Sequence, residues 1–169
     1  GDDFLARVVV AWEREARAAE DLGVRVTCLR QGVVLDRHGG ALGKMLLPFR
    51  LGVGGPVAGG RQFMPWIHRD DVVGLYLAAI DGGDAWAGPV NASAPTPVTN
   101  REFSRALGRA LRRPAVLPVP GFALRLLYGE MASIVTTGVN MLPRRAADLG
   151  YAFRHPQVDG ALRAALAES

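Results

Sequence analysis

A chain of 169 residues is long enough for one domain with a sizeable core and too short for two ordinary ones. Its 49% hydrophobic, 21% charged and 7% aromatic content excludes disordered and collagen-like classes, and no window reaches the ~20 uncharged apolar residues of a membrane span. The formal charge is +4 and the pI is near 10.0, yet the basic residues, all Arg except Lys44, are spread from Arg7 to Arg163. A nucleic-acid partner wants a clustered stripe, so solvated helix faces account for them. The opening GDDFLARVVVAWERE lacks the basic start of a signal peptide. A lone Cys28 and three scattered histidines argue against a disulfide and against zinc, and suit a reducing, cytoplasmic compartment.

The first segment predicts a helix: Phe4, Val8, Trp12, Ala16 and Ala19 recur near every fourth residue, and Gly23 follows as a cap. VRVTCLR, residues 24–30, is β-branched and apolar on both faces, the signature of a buried parallel strand. The run to Gly39–Gly40 leaves the strand and turns. A short helix over 41–49, limited by Pro48, precedes a glycine-rich loop, LGVGGPVAGGRQ. FMPWIH predicts a short edge strand because of Pro65. Asp70 or Asp71 then caps a helix turning Val72, Val73, Tyr76, Ala79 and Ile80 inward. PVNAS is a further short strand. Thr99 and Glu102 form a capping box for a helix burying Phe103, Leu107, Ala110 and Leu111. Extended AVLPVP, helical stretches over 122–127 and 131–137, a helix from Pro143 closed by Gly150, and an amphipathic helix over about 158–167 complete the chain.

A doubly buried parallel strand needs neighbours on both sides, and the later strands are short or marked by proline. The order therefore predicts the C-terminal part of a larger α/β fold. Familiar motifs do not rescue a self-contained enzyme. GGALGKM has His38 where a phosphate loop needs Gly and Met45 where it needs Ser or Thr, and no G-x-S-x-G is present. Cys28 falls inside the strand as a buried thiol.

Leu29 to Asp71, with its long loop and WIHRDD, then GPVNASAPTPVTNREF and LPRRAADLGYAFRHP, resemble the epimerase-family proteins of the bacterial YfcH type. These are atypical, extended short-chain dehydrogenase/reductases. The tail resembles the C-terminal domain of unknown function in those proteins, and members run to nearly twice this length. The resemblance implies a Rossmann-like doubly wound parallel sheet binding NADP(H) as cofactor, with a smaller, mostly helical substrate-side lobe. Residues 1–36 would be the last major helix and strand of the Rossmann half, 37–118 the substrate-side lobe, and 119–169 the helical C-terminal domain. The partners implied are the missing N-terminal half of the same fold and a small-molecule substrate.

The sixth strand would then end at the cofactor crevice, with Arg30 and Gly32 beside the nicotinamide. Arg30 has two roles open to it: a bond to cofactor oxygens, or a salt bridge to a neighbour. The family's Tyr-x-x-x-Lys is absent: Tyr76, Tyr128 and Tyr151 are followed four residues later by Ile80, Ala132 and His155. Position for position, the motif falls on Leu5 and Val9. The arginine that nucleotide-sugar epimerases carry four residues before the histidine is Met64 here. His68 is the candidate proton-exchanging residue, with a structural role at the helix start as its alternative. Lys44, Met45, Arg61 and Trp66 are the substrate-pocket candidates. Two functions are open: a reductase or epimerase-like protein of unknown substrate, or a non-catalytic dinucleotide sensor or scaffold, since relatives are sometimes labelled cell-division inhibitors.

Overall fold

The computed structural model describes residues 4–119 and 137–167. Helix α1 (Phe4–Arg17) runs into a 3-10 turn (Ala18–Leu22) that Gly23 closes at a φ of +74°, where a side chain would be strained. Strands β1 (Thr27–Gln31) and β2 (Val33–Leu35) follow, separated by a single residue. Then come α2 (Gly40–Arg50), β3 (Phe63–Met64), β4 (Trp66–His68) and α3 (Arg69–Asp81). The described chain ends with β5 (Gly88–Ala92), β6 (Val98–Thr99), α4 (Asn100–Leu111), α5 (Arg144–Asp148) and α6 (Val158–Ala167). The helical stretches expected over 122–127 and 131–137 lie outside the described residues, except for Thr137.

β1 pairs in parallel with β5, Thr27 opposite Gly88 and Gln31 opposite Ala92. β2 pairs in parallel with β4, Val33 opposite Trp66 and Leu35 opposite His68, whereas β3 and β6 are antiparallel. The chain changes partner at Gly32, whose N–H donates to Ala92 O at 2.9 Å while the N–H of Val33 donates to Pro65 O at 2.8 Å. A Cβ at position 32 would lie 3.0 Å from the carbonyl carbon and oxygen of Pro65, so only glycine lets the two strands come this close. Parallel strands with helices packed on them form a mixed α/β architecture.

Two clusters make the core. One joins Leu42, Leu46 and Phe49 of α2, Trp66, and Phe103 and Leu107 of α4 to Ala161 and Leu162 of α6. The other joins Ile67, Leu75, Trp86, Val90 and Ala146. The capping box at Thr99 is present as expected, with the Glu102 carboxylate accepting from Thr99 N at 2.7 Å and the Thr99 hydroxyl accepting from Glu102 N at 3.3 Å.

Several expectations are corrected. A neighbour for β1 does exist in this chain, because PVNAS supplies β5. The expected strand over 63–68 is split at Pro65 into β3 and β4, and β2 forms within the run expected to leave the first strand before the turn at Gly39–Gly40. Pro48 lies inside α2, which continues to Arg50. The inward face of α3 is Asp71, Val72, Leu75 and Ala79, while Val73, Tyr76 and Ile80 are exposed. That helix is apolar on most sides, so composition did not choose its buried face. The stripe of α1 is not covered: Phe4 is 62% and Trp12 71% exposed. The glycine-rich loop is pinned, with Val57 N–H donating to Asn100 Oδ1 at 2.7 Å and Arg101 N–H to Gly60 O at 3.0 Å. Among the described residues, no helix is long and apolar enough to cross a membrane.

Candidate functional site

Because β1 parallels β5 and β2 parallels β4, their carboxyl ends carry the candidate residues Arg30 and His68. Open α/β sheets place ligands beyond such ends. At the end of β1, the Arg30 guanidinium forms a two-pronged pair with Glu13 of α1, at 2.6 and 2.7 Å. This pair lowers the Glu13 carboxyl below its usual range, chiefly through the hydrogen bond, with burial opposing it and the Arg30 charge adding to it. The Arg30 side chain remains about half exposed, at 48%.

His68 ends β4 and is fully buried. Its Nδ1 accepts the N–H of Asp70 at 3.2 Å, so the histidine itself caps α3; the expected capping by Asp70 or Asp71 is thereby corrected. The imidazole of His155 lies across it, ring centroids 3.8 Å apart and tilted by 35°. The Asp70 carboxylate sits 3.5 Å from His155 Nε2 and 3.8 Å from His68 Nδ1. His155, far along the sequence from His68 and Asp70, is thus brought to them at the end of β4.

Beneath this group Asp71 is buried, and its carboxylate accepts from Arg154 N at 2.7 Å and His155 N at 3.0 Å. The hydroxyl of Tyr151 donates to the Asp71 carbonyl at 3.1 Å. Burial first, and the Asp71 charge second, push this phenol up to about 12.

The remaining candidates are dispersed. Met45 packs against the cluster that contains Trp66, itself only 1% exposed. Lys44 is exposed on α2, as is Arg61 on the glycine-rich loop. Gly32 meets the backbone of Pro65, which gives its missing side chain a packing reason. Sequence reasoning gave Asp71 only a capping role and gave none to His155 or Tyr151. Their signal lay in two blocks, WIHRDD and GYAFRHP, whose contact depends on a fold that brings distant residues together.

The domain of unknown function DUF1731 matches residues 119–165. The mouse (Mus musculus) epimerase family protein SDR39U1 is 44% identical over 95% of this chain and 55% of its own length. Bacillus subtilis epimerase family protein YfhF is 35% identical over 99% of this chain and 54% of its own length. The crystal structure of human epimerase family protein SDR39U1 (isoform 2) with NADPH superposes with a TM-score of 0.81 at 40% identity, covering 86% of this chain and 50% of that one. The chain belongs to the epimerase family of atypical short-chain dehydrogenase/reductases. It corresponds to their C-terminal part and spans about half the length of the curated relatives it matches. Its parallel β/α units are those of the Rossmann-fold epimerases.

Proposed function

We propose that this chain is the substrate-side portion of an NADP(H)-binding, short-chain dehydrogenase/reductase-like protein. The observation that carries the proposal is its close superposition on an epimerase-family structure crystallised with NADPH, at a TM-score of 0.81 and 40% identity. Residues 1–36 are proposed as the last helix and strand of a dinucleotide-binding half, 37–118 as the substrate-side lobe and 119–169 as the family's C-terminal domain. The exposed apolar residues of α1 and the single pairing of β1 among the described residues support this division. They are the face and edge that preceding βα units would cover.

Arg30 and Gly32 are proposed to stand at the nicotinamide end. Nicotinamide chemistry supplies a hydride, and the natural acceptor is a small carbonyl or sugar-like compound. In this chain Arg30 would exchange Glu13 for a carboxamide or phosphate oxygen, which its exposure permits. His68 is proposed to hold or pass a proton, with Lys44, Met45, Arg61 and Trp66 bordering the substrate. The single Cys28 supports a reducing compartment such as the cytoplasm.

Fluorescence titration of the intact protein with NADPH tests the proposal. Saturable binding is expected, weakened about tenfold in Arg30→Ala by loss of a charge-assisted bond. No saturation at millimolar cofactor contradicts it. A non-catalytic sensor is favoured by one observation, the lack of a tyrosine–lysine pair at Leu5 and Val9. Oxidation of NADPH in the presence of carbonyl compounds, abolished in His68→Ala, selects the enzyme; cofactor binding without turnover selects the sensor.

A further inference from the structure

We propose that His68, Asp70 and His155 form a binding site for a divalent transition ion of the zinc class. One nitrogen of each imidazole and one carboxylate oxygen lie within 4.8 Å of one another. Asp70 Oδ2 stands 3.8 Å from His68 Nδ1 and 3.5 Å from His155 Nε2. Ligands at about 2.0–2.1 Å from a tetrahedral zinc are roughly 3.3 Å apart, so the two carboxylate separations need to contract by only a few tenths of an ångström. Two imidazoles with one carboxylate suit zinc, cobalt or nickel, whereas calcium and magnesium want oxygen donors throughout.

The surroundings prepare these three groups. Nδ1 of His68 accepts the Asp70 backbone N–H at 3.2 Å, so it presents a lone pair toward this turn. Asp70 lies in the first turn of α3 beside that histidine. The segment carrying His155 is clamped to the same turn, because Asp71 takes the N–H groups of both Arg154 and His155. The site also has a way in: the side chains of Asp70 and His155 are 37% and 22% exposed, over a fully buried His68. Three protein ligands would leave a fourth position for water or a substrate oxygen, the pattern of reactive zinc centres.

In the stacked arrangement the ring lone pairs do not converge on one point. Ligation therefore turns the His155 ring, which is partly exposed and lies outside regular secondary structure. Such second-element ligands commonly settle on binding, since metal affinity is coupled to local ordering.

Calorimetric titration of the metal-stripped intact protein with Zn²⁺, without NADPH, tests the site independently of the cofactor proposal. One ion per chain is expected. Co²⁺ is expected to give a tetrahedral visible spectrum without a sulfur-to-metal band, because Cys28 is not a ligand. His155→Gln and Asp70→Asn are each expected to weaken Zn²⁺ binding by about tenfold or more, since even outer-shell losses reach that size. His38→Gln, at the exposed third histidine, leaves affinity unchanged. Thermal unfolding of each variant without metal verifies its fold, and His155→Gln, at a partly exposed side chain, is the variant that decides. Absence of saturable Zn²⁺ binding, binding unaffected by His155→Gln, or binding lowered equally by His38→Gln overturns the proposal.

Discussion

Tyr151 illustrates how one residue holds two distant segments together and leaves a measurable trace. Its hydroxyl donates to the Asp71 carbonyl, its ring meets Phe153 edge-on at 4.9 Å, and a Cβ at Gly74 would lie 2.2 Å from the phenol oxygen. Ionising this phenol in place would set a second negative charge beside Asp71 in a partly dry site, which is why it is held up to about 12. An unfolded tyrosine ionises near pH ~10, so between about pH 10 and 12 the unfolded chain has already lost a proton that the folded chain still holds. Stability is therefore full below that window and falls as pH rises through it. In Tyr151→Phe the alkaline fall in melting temperature is expected to be shallower than in the parent, and the melting temperature at neutral pH modestly lower. Parallel thermal melts from neutral to strongly alkaline pH check both. None of this was visible in the sequence. Asp71 was legible there only as a possible cap, because the amides that claim its carboxylate come from Arg154 and His155, far along the chain.

At the scale of elements, local chemistry was readable and partner choice was not. The Thr99–Glu102 box, the cap at Gly23, the start at Pro143 and the last amphipathic helix all depend on neighbours a few residues away, and all are found where the sequence places them. The exposed faces of α1 and α3 differ from the expected ones because a helix face is chosen by what packs against it. β2 was missed for a related reason: it exists because Val33 to Leu35 meets Trp66 to His68, a pairing no local signal announces. Gly32 is the hinge between the two strand pairs. Its substitution by alanine puts a Cβ 3.0 Å from the Pro65 carbonyl, tighter than most packed contacts, so the strands must give by a few tenths of an ångström. Gly32→Ala is expected to cost about 1–3 kcal/mol in denaturant unfolding, while Gly39→Ala, where the added carbon meets nothing within 4 Å, is expected to cost much less. Equal losses at both positions would rule out the close strand approach as the reason for Gly32.

At the scale of the whole molecule, α4 and α6 bury their apolar faces against each other and against α2, whereas α1 leaves Phe4, Val10 and Trp12 exposed. One of its ties to the rest is the pair between Glu13 and Arg30 at the chain surface, and exposed pairs contribute about 1 kcal/mol at most. A helix that leaves these apolar residues exposed is accounted for by a surface contributed from elsewhere in the same fold, which is how the family resemblance read the sequence. The candidate site was legible to the extent of His68 and Arg30, each at the end of a parallel strand. Its other half, His155 over Asp70, required the fold. Hydrogen exchange along α1 and β1 in the intact protein tests the central claim most directly, because exchange follows local opening. The amides of α1 and of the outer edge of β1 are expected to be protected about as well as those of α4, and better still once NADPH is added. Exchange of α1 at the rate of an open peptide, unchanged by NADPH, would contradict the assignment of these residues to a nucleotide-binding sheet.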